Sequence, residues 1–359
     1  MLSPMTEQTW DEVGGWPAVL RSLTQRHDLD RATASAAMGQ ILDGEATPAQ
    51  IAGFIVALRM KGETSAELTG MVRAMLERAT PVVLDDPAGV VDIVGTGGDG
   101  SRSINVSTLA AFAIVGAGGR VCKHGNRAAS SMCGTADLLE QLGVAIDLGP
   151  EGVARCVAEA GIGFCLAPRY HSAMRHAGPP RRELGVPTVF NFIGPLANPA
   201  GVKRQVTGVS DPAMAERMIE VLAGNGAERA LVVFGHDGLD ELTITTSSTV
   251  HELRDGVVRT YDVHPAALGL AGGTLEDLRG GDPATNAALA AEVLGGAPGP
   301  KADIVALNAA AGLVVAGIVD DLASGIEAAR AALQDGSAAA AAERLAACSQ
   351  AAKADEPAA

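Results

Sequence analysis

Two short apolar runs in this chain each empty into a loop whose residue types suit an anion. Val90-Val91-Asp92-Ile93-Val94 leads directly into Gly95-Thr96-Gly97-Gly98-Asp99-Gly100, and Asn105-Val106-Ser107-Thr108 then opens an apolar, helix-like segment. Glycines reach backbone conformations closed to other residues and let N–H groups approach a phosphate. A helix start adds unpaired N–H groups and the positive end of a dipole. Asp99 has the wrong charge for a phosphate ligand and suits a sugar hydroxyl or a metal-bound water. The second run, Arg120-Val121-Cys122-Lys123, delivers His124-Gly125-Asn126-Arg127-Ala128 and closes with Ala129-Ser130-Ser131. Taken alone, the first loop is equally an ordinary tight turn between strand and helix. The point cation of Lys123 at a neighbouring strand end tips the balance toward a phosphate cradle. No G-x-x-x-x-G-K-[ST] is present, and the glycine spacing after Val94 does not fit G-x-G-x-x-G. P-loop nucleotide hydrolases and dinucleotide-binding folds are thereby set aside.

Two further segments carry usable chemistry. Gly238-Leu239-Asp240-Glu241 follows a strand-like run ending at Phe234-Gly235. Adjacent carboxylates in a loop are commonly a solvated turn, but beside a phosphate loop they are natural oxygen ligands for Mg²⁺. His171, Arg175, His176, Arg181 and Arg182 crowd into one basic segment. Some of these are surface charges, and one arginine is suited to receive a carboxylate through a bidentate pair. Asn191-Phe192-Ile193-Gly194-Pro195-Leu196-Ala197-Asn198-Pro199 reads as a rigid, structural turn.

These groups need a scaffold, and 359 residues allow two domains or one large domain with an added layer. Apolar residues make up 47% and charged ones 19%, enough for a full core and too ordered in character for general disorder. With aromatics at 3%, that core must be built from Ala, Val, Leu and Ile, while the 44 glycines suit an α/β chain with many tight loops. The formal charge of −15 argues against nucleic acid or an anionic membrane as partner. It also requires local cations, Lys, Arg or Mg²⁺, if the substrate is a polyphosphate. Cys122, Cys133, Cys156, Cys165 and Cys348 are odd in number and lack C-x-x-C spacing, so buried thiols in a reducing cytosol are expected. The N-terminal segment lacks the apolar core of a signal peptide. Val305 to Val319 is the most apolar stretch, but Asn308 interrupts it and it falls short of the ~20 residues of a membrane span. A soluble, cytoplasmic protein is expected.

Helix signals dominate the start. Asp30 caps a helix ending near Gly44, and Thr47-Pro48 begins a second, with Ile51, Phe54, Ile55 and Leu58 on one face. Thr64-Ser65-Ala66-Glu67 is a capping box before Leu68, Met71, Val72, Met75 and Leu76. The pattern then becomes strand–loop–helix, with strands expected at 90–94, 119–123, 144–147 and 162–166 and helices at 107–117, 135–143 and 150–160. After the basic interruption it resumes at 188–191, 205–209, a helix from Pro212 and a strand at 230–234. Strands at 241–245, 249–253 and 257–262 look like a mixed or antiparallel edge. Residues 303–334 read as helix, and 337–359 as an Ala-rich helical tail expected to fray. The fold class is therefore α/β. A small all-helical domain over 1–80 is joined by a helical or hinge contribution from 168–188. A larger domain over 81–167 and 189–336 holds a central, mostly parallel sheet flanked by helices.

Five motifs in order and spacing resemble the anthranilate phosphoribosyltransferases of tryptophan biosynthesis: G-T-G-G-D at 95–99, N-V-S-T at 105–108, K-H-G-N-R-A at 123–128, N-x-x-G-P-L-x-N-P at 191–199 and G-L-D-E at 238–241. The similarity runs from about Asp30 to about Leu333. It implies a glycosyltransferase that moves the phosphoribosyl group of 5-phosphoribosyl 1-pyrophosphate to the amine of anthranilate and releases pyrophosphate. It implies that Gly95, Gly98, Asp99, Ser103, Asn105, Val106, Ser107 and Thr108 bind the donor. Lys123, His124, Gly125, Asn126, Arg127, Ala128, Ala129, Ser130 and Ser131 continue that site, with Thr135 at its edge. Gly95, Asn126 and Arg181 match the anthranilate contacts, with His171 near their path. Ser107, Asp240 and Glu241 match the magnesium ligands, for two Mg²⁺ per protomer. The resemblance also implies a homodimer through the helical domain, for which the apolar faces at 51–58 and 68–76 are available, and domain closure over hinges near 81–89 and 168–188. Pro179-Pro180 before Arg181 and Met132-Cys133 in the second loop depart from the expected pattern and bear on the substrate channel. No general acid or base is assigned, because an aniline-type amine is already neutral at pH 7. A pyrimidine nucleoside phosphorylase shares the two-domain plan, but G-T-G-G-D with G-L-D-E speaks against it. A non-catalytic nucleic-acid-binding relative would be basic and would lack Lys123, Asn126 or the Asp-Glu pair.

Overall fold

The computed structural model describes residues 10–128 and 132–356. Helices come first: α1 (Trp10–Val13), α2 (Gly15–Thr24), α3 (Arg31–Leu42), α4 (Pro48–Lys61) and α5 (Ser65–Glu77). Their starts are where side chains can satisfy orphan N–H groups. Asp30 accepts from Thr33 N at 2.7 Å, and Thr47 with Gln50 and Thr64 with Glu67 form reciprocal capping boxes. Glu67 does more than cap. Fully buried, it also takes the Leu29 N–H at 2.9 Å and the Lys61 ammonium at 3.0 Å, fastening α5 to the chain before α3.

The α/β part follows as β1 (Val90–Gly95), α6 (Val106–Gly116), β2 (Arg120–Gly125), α7 (Thr135–Gln141), α8 (Pro150–Ala160) and β3 (Ile162–Leu166). Short helices α9 (Ala167–Tyr170), α10 (Gly178–Leu184) and α11 (Phe190–Ile193) lead to β4 (Arg204–Gly208), α12 (Pro212–Gly224) and β5 (Arg229–Gly235). The hairpin β6 (Ser248–Arg254) and β7 (Val257–Val263) is followed by α13 (Pro283–Leu294), α14 (Pro300–Ala316), α15 (Leu322–Gln334) and α16 (Ser337–Asp355). The sheet order is β3-β2-β1-β4-β5-β6-β7. The first five strands are parallel, and β6 and β7 are antiparallel at the edge. The chain winds outward from β1 to β3 and returns on the other side of β1 as β4. That reversal is a topological switch point, where open α/β sheets hold ligands at the carboxyl ends of their strands.

Strand alternation sorts side chains into two cores. Leu231 and Val233 of β5 face α6 and α14, whereas Ala230 and Val232 join α12 and the N-terminal helices. Thr80 N–H donates to Tyr170 O at 2.9 Å, so the two segments expected as hinges lie side by side.

Several expected elements are absent or different. Residues 144–147 are no strand: Val144 and Ile146 are buried, but Ala145 N–H finds Ser349 Oγ at 3.0 Å on α16 instead of a neighbouring strand. At 188–191 the chain turns into α11, with Asn191 Oδ1 accepting the Thr188 N–H at 3.0 Å. Residues 241–245 form a loop held by side chains, with Asp237 receiving the hydroxyls of Thr243 and Thr245. The helix read over 303–334 is two helices, broken after Ala316 by Gly317 at φ +77. Helices α2 and α13 have no counterpart among the individual helices expected, whereas α10 falls within the helical or hinge contribution expected from 168–188. The Ala-rich tail does not fray over its described length. α16 buries Ala338, Ala341, Leu345 and Ala352 against α6 and α8, and Lys353 pairs with Asp147 at 2.9 Å. The faces at 51–58 and 68–76 are also not free for a second copy, since Ile51, Phe54, Ile55, Leu58, Leu68, Met71, Val72 and Met75 are all buried in the protein's own core. Among the described residues no helix is long and apolar enough to cross a membrane.

Candidate active site

β1 ends at the switch point, and its loop is built by close approach. Thr96 N–H donates to Gly208 O at 2.9 Å, tying the loop to the end of β4. Gly97, Gly98 and Gly100 have φ of +67, +80 and +70, the left-handed region that favours glycine. Gly97 N–H donates to Asp240 Oδ2 at 2.6 Å, and a Cβ on Gly95 would overlap that same carboxylate. Asp99 is turned onto its own loop, accepting from Ser101 Oγ at 2.7 Å. Ser103 bridges to Arg279, closing the loop against the segment before α13.

α6 then begins with no side-chain cap from Asn105, and its first-turn N–H groups are already engaged: Val106 N–H donates to Ile104 O at 2.8 Å, Thr108 N–H to Asn105 O at 3.1 Å, and the Ser107 N–H bonds Glu241. Asn105, at the cap position, spends its amide elsewhere. Its Nδ2 donates to Cys133 O at 3.1 Å and its Oδ1 accepts from Asn286 Nδ2 at 2.8 Å, linking the first loop, the second loop and α13. Val106 is in the core at 2% exposure and offers only its main chain. Thr108 Oγ1 donates to Thr135 Oγ1 at 3.3 Å, a second tie between the loops.

Lys123 is 2% exposed, and its Nζ donates to Ser107 Oγ at 3.2 Å and to the Ile93 carbonyl. Burial pulls its pKa down, while the charges of Asp92 and Glu241 pull it back up. Asp92 lies beneath, accepting from His124 N at 3.1 Å and Asn198 Nδ2 at 2.9 Å. Burial raises its carboxyl to about 6, with Lys123 and those hydrogen bonds opposing. The His124 ring is buried, 5.2 Å from the His171 ring, and its Nε2 has no partner among the described residues. Burial, then the His171 and Lys123 charges, hold it down to about 3. His171 Nε2 meets Ala197 O at 2.7 Å, and burial lowers its pKa too.

Asp240 and Glu241 are both buried. Burial and the Asp99 charge push the Asp240 carboxyl up to about 7. Burial, then the Asp240 charge, raises that of Glu241, with Lys123 and the Ser107 N–H working against it. Two desolvated carboxylates with so little compensation are chemically suited to hold a cation. With the Ser107 hydroxyl they make a set of hard oxygen donors that fits Mg²⁺. Among the described residues no three His, Cys, Asp or Glu side chains are gathered as a metal cage. Mg²⁺ needs none, because it commonly takes one or two carboxylates and completes its shell with water and substrate phosphate.

Arg181 projects from α10 over the Phe190 ring, 5.1 Å from its centroid. Burial lowers its pKa, and no carboxylate among the described residues pairs with it. Arg175 and Arg182 are exposed. Asn126 is exposed, and its Oδ1 accepts from Arg127 N at 2.8 Å. Arg127 forks onto Glu140 at 2.6 and 2.7 Å and reaches Asp137 at 3.1 Å, so its charge is turned onto α7. Ala128 N–H donates to Asp137 Oδ2 at 2.9 Å, and Gly125 is packed against Phe164 and Thr135. Ala129, Ser130 and Ser131 lie outside the described residues. Sequence reasoning gave no part in the site to Asp92, Asn198, Asn286 or Asn308. A carboxylate in mid-strand was the available signal for Asp92, and a lone amide in an apolar helix was the signal for Asn308.

Known proteins match this chain along nearly its whole length. Residues 87–339 fit the glycosyl transferase family a/b domain, and residues 17–79 the helical bundle domain of the same family. An anthranilate phosphoribosyltransferase of Symbiobacterium thermophilum is 49% identical over 328 residues, covering 91% of this chain and 96% of that protein. One of Salinispora arenicola is 53% identical over 307 residues, covering 85% and 87%. The crystal structure of the Thermus thermophilus enzyme superposes with a TM-score of 0.88 at 44% identity, over 92% of this chain and 99% of that one. The Saccharomyces cerevisiae enzyme in complex with phosphoribosyl pyrophosphate and Mg gives a TM-score of 0.85 at 27% identity, over 94% and 98%.

Proposed function

The chain belongs to the anthranilate phosphoribosyltransferases and transfers the phosphoribosyl group of 5-phosphoribosyl 1-pyrophosphate to the amine of anthranilate, the second step of tryptophan synthesis from chorismate, and we propose how its residues divide that work. The observation that carries the division is the meeting of Lys123, Ser107, Glu241, Asp240 and Gly97 at the switch point. Gly95, Gly98, Asp99, Ser103, Asn105, Val106, Ser107 and Thr108 hold the donor's pyrophosphate and ribose. Backbone N–H groups face the phosphates, and Asp99 serves a sugar hydroxyl or a bound water. Lys123 through Ser131 and Thr135 complete that pocket. Arg127 reaches a phosphate only by leaving Glu140 and Asp137, so a phosphate there would replace a forked ion-pair network. Arg181 receives the anthranilate carboxylate as a fork, beside Gly95 and Asn126.

Ser107, Asp240 and Glu241 are the Mg²⁺ ligands in this proposal, for two ions per protomer, in keeping with the Mg present in the yeast complex. Mg²⁺ bound there would offset the charge that develops on the departing pyrophosphate. The C1–oxygen bond to pyrophosphate breaks as the amine nitrogen bonds to C1, and the amine's surplus proton leaves for solvent or pyrophosphate. The chain's own contribution is to align amine and C1, to keep both out of water and to aim N–H dipoles at the leaving oxygens.

Two wider readings join this proposal. α4 is apolar over most of its circumference, and Ala52 and Met60 lie on the face its own core leaves free, Met60 at 71% exposure. A helix of that kind calls for cover, and a second copy through the helical domain supplies it. A reducing cytoplasm suits five cysteines with no disulfide among them, two of which, Cys122 and Cys165, share a thiol hydrogen bond with sulfurs 3.8 Å apart. The test of the central proposal is product formation from anthranilate and phosphoribosyl pyrophosphate with and without Mg²⁺. Asp240→Ala plus Glu241→Ala is expected to abolish Mg²⁺-dependent turnover, and a wild-type rate in that double variant overturns the metal assignment.

A further inference from the structure

Asn308 is the one feature of the most apolar helix that apolar packing does not explain. α14 buries Ile304 through Leu313 almost without interruption, and Asn308 sits among them at 0% exposure. Placing an amide there costs a few kcal/mol, roughly 1–3 by mutational scales, unless its atoms are paired. All of them are. Oδ1 accepts from Leu242 N at 3.0 Å, and Nδ2 donates to Leu242 O at 2.8 Å and to Ile304 O at 2.9 Å. One side chain therefore satisfies both backbone groups of a single residue, as an adjacent strand would.

Leu242 directly follows Asp240-Glu241, in a segment that has no strand partner. The same carboxylate pair is fixed from its other side. Gly97 N–H holds Asp240 Oδ2 at 2.6 Å, and Gly208 lies so close under the Asp240 carbonyl that no Cβ fits. Loop backbone at one end and an amide from the core helix at the other leave the two carboxylates little freedom.

We propose that Asn308 is a positioning residue for the metal-binding loop, setting divalent-cation affinity from α14 without touching the cation. This rests on the reading of Asp240 and Glu241 as Mg²⁺ ligands. Residues that orient a metal's ligands typically change affinity by about 10–100-fold when removed. A merely structural amide would lower stability and leave affinity alone.

The test uses the full-length protein with Asn308→Leu, which keeps the branched heavy-atom shape and removes all pairing, and Asn308→Ser, which retains one hydroxyl. Mn²⁺ binding in the presence of pyrophosphate is followed by the electron paramagnetic resonance of free Mn²⁺, beside the Mg²⁺ concentration giving half-maximal turnover. Asn308→Leu is expected to weaken Mn²⁺ binding about tenfold or more and to raise half-saturating Mg²⁺ by the same factor, with kcat at saturating Mg²⁺ near wild type. If Asn308→Leu does not fold, Asn308→Ser is judged on the same criterion. Wild-type Mn²⁺ affinity in the folded variant, with affinity lost in Asp240→Asn plus Glu241→Gln, overturns the role of Asn308 alone. Wild-type affinity in that double variant overturns the metal reading and this inference with it.

Discussion

Replacing His124 by phenylalanine should change how the protein responds to acid more than how stable it is at neutral pH. In an unfolded chain the imidazole titrates near 6.5. In the fold, burial first and then the His171 and Lys123 charges hold it to about 3. This is a base whose folded pKa is depressed, so between about 6.5 and about 3 the unfolded chain takes a proton that the fold refuses. The stability is whole above the unfolded value and is lost as pH falls. At pH 5, about one and a half units below the unfolded pKa, the loss from this group is about 2 kcal/mol. Asp92 runs the other way. Its carboxyl is raised from 3.8 to about 6, so the fold binds that proton more tightly and gains stability as pH falls between those values. The wild-type curve is a sum of opposing terms, and the informative quantity is the difference between variant and wild type. Loss of the His124 hydrogen bond to the Gly194 backbone adds a pH-independent offset of about 1 kcal/mol. Urea denaturation followed by circular dichroism from pH 8 to pH 5 measures the difference. It should be constant above pH 7.5 and move by about 2 kcal/mol in favour of His124→Phe by pH 5. A difference that stays flat would show that His124 takes up its proton normally in the fold, and the argument from burial would fail.

Three other perturbations address the site and the assembly. Arg181→Ala should raise the anthranilate KM by about 10- to 150-fold, the worth of a charge-assisted hydrogen bond of about 1.5–3 kcal/mol, with little change for the donor; equal changes for both substrates would remove Arg181 from the acceptor pocket. Arg181→Lys should recover only part of the loss, because an ammonium lacks the fork. Gly95→Ala puts a methyl group into the Asp240 carboxylate, and half-saturating Mg²⁺ should rise by about 10-fold or more, whereas an unchanged metal dependence would mean that Asp240 is not a ligand. Met60→Glu on the open face of α4 should convert a dimer to monomers in sedimentation velocity, and a dimer that persists would move the interface off that helix.

The loops that hold the site were legible because their residue types have few other reasons to occur together at strand ends. Gly95 to Asp99, Lys123 and Asp240-Glu241 stood out singly as weak signals and together as one site at the carboxyl ends of neighbouring strands. Helix starts were equally plain, since Asp30, Thr47 and Thr64 each meet a local N–H three residues on. The failures share a physical origin. Alternating burial reports that one face is covered, not that a strand lies alongside, so 144–147 and 241–245 read as strands while their N–H groups bond to Ser349 and Asn308. Asp92 needs Asn198, and Asn105 needs Asn286. Pairs so far apart in sequence leave no local trace. Asn308 was noticed only as a flaw in an apolar run, although a paired amide in such a helix is a sign that some distant backbone depends on it.

The charge problem posed by a net −15 has a sharper form in the folded site. Arg127, expected to face the donor, is held by Glu140 and Asp137, and among the described residues Lys123 is the cation drawn into the electrostatics of Asp92 and Glu241. Asp99 and Asp240 add further negative charge beside it. A pyrophosphate entering alone would meet more carboxylate than ammonium. Asp240 titrating at about 7 expresses the same shortage, because its charge is stabilised too little by what the chain itself supplies. The missing positive charge must therefore come in with the substrate. This is why we place the donor's phosphates and the divalent cations in one shared shell at Ser107, Asp240 and Glu241, and not in two separate sites. On that arrangement the upward shift that burial gives these carboxyl groups is reversed by the cations when the site fills. The energetic cost of desolvating them then appears as selectivity for a donor that carries its cations with it.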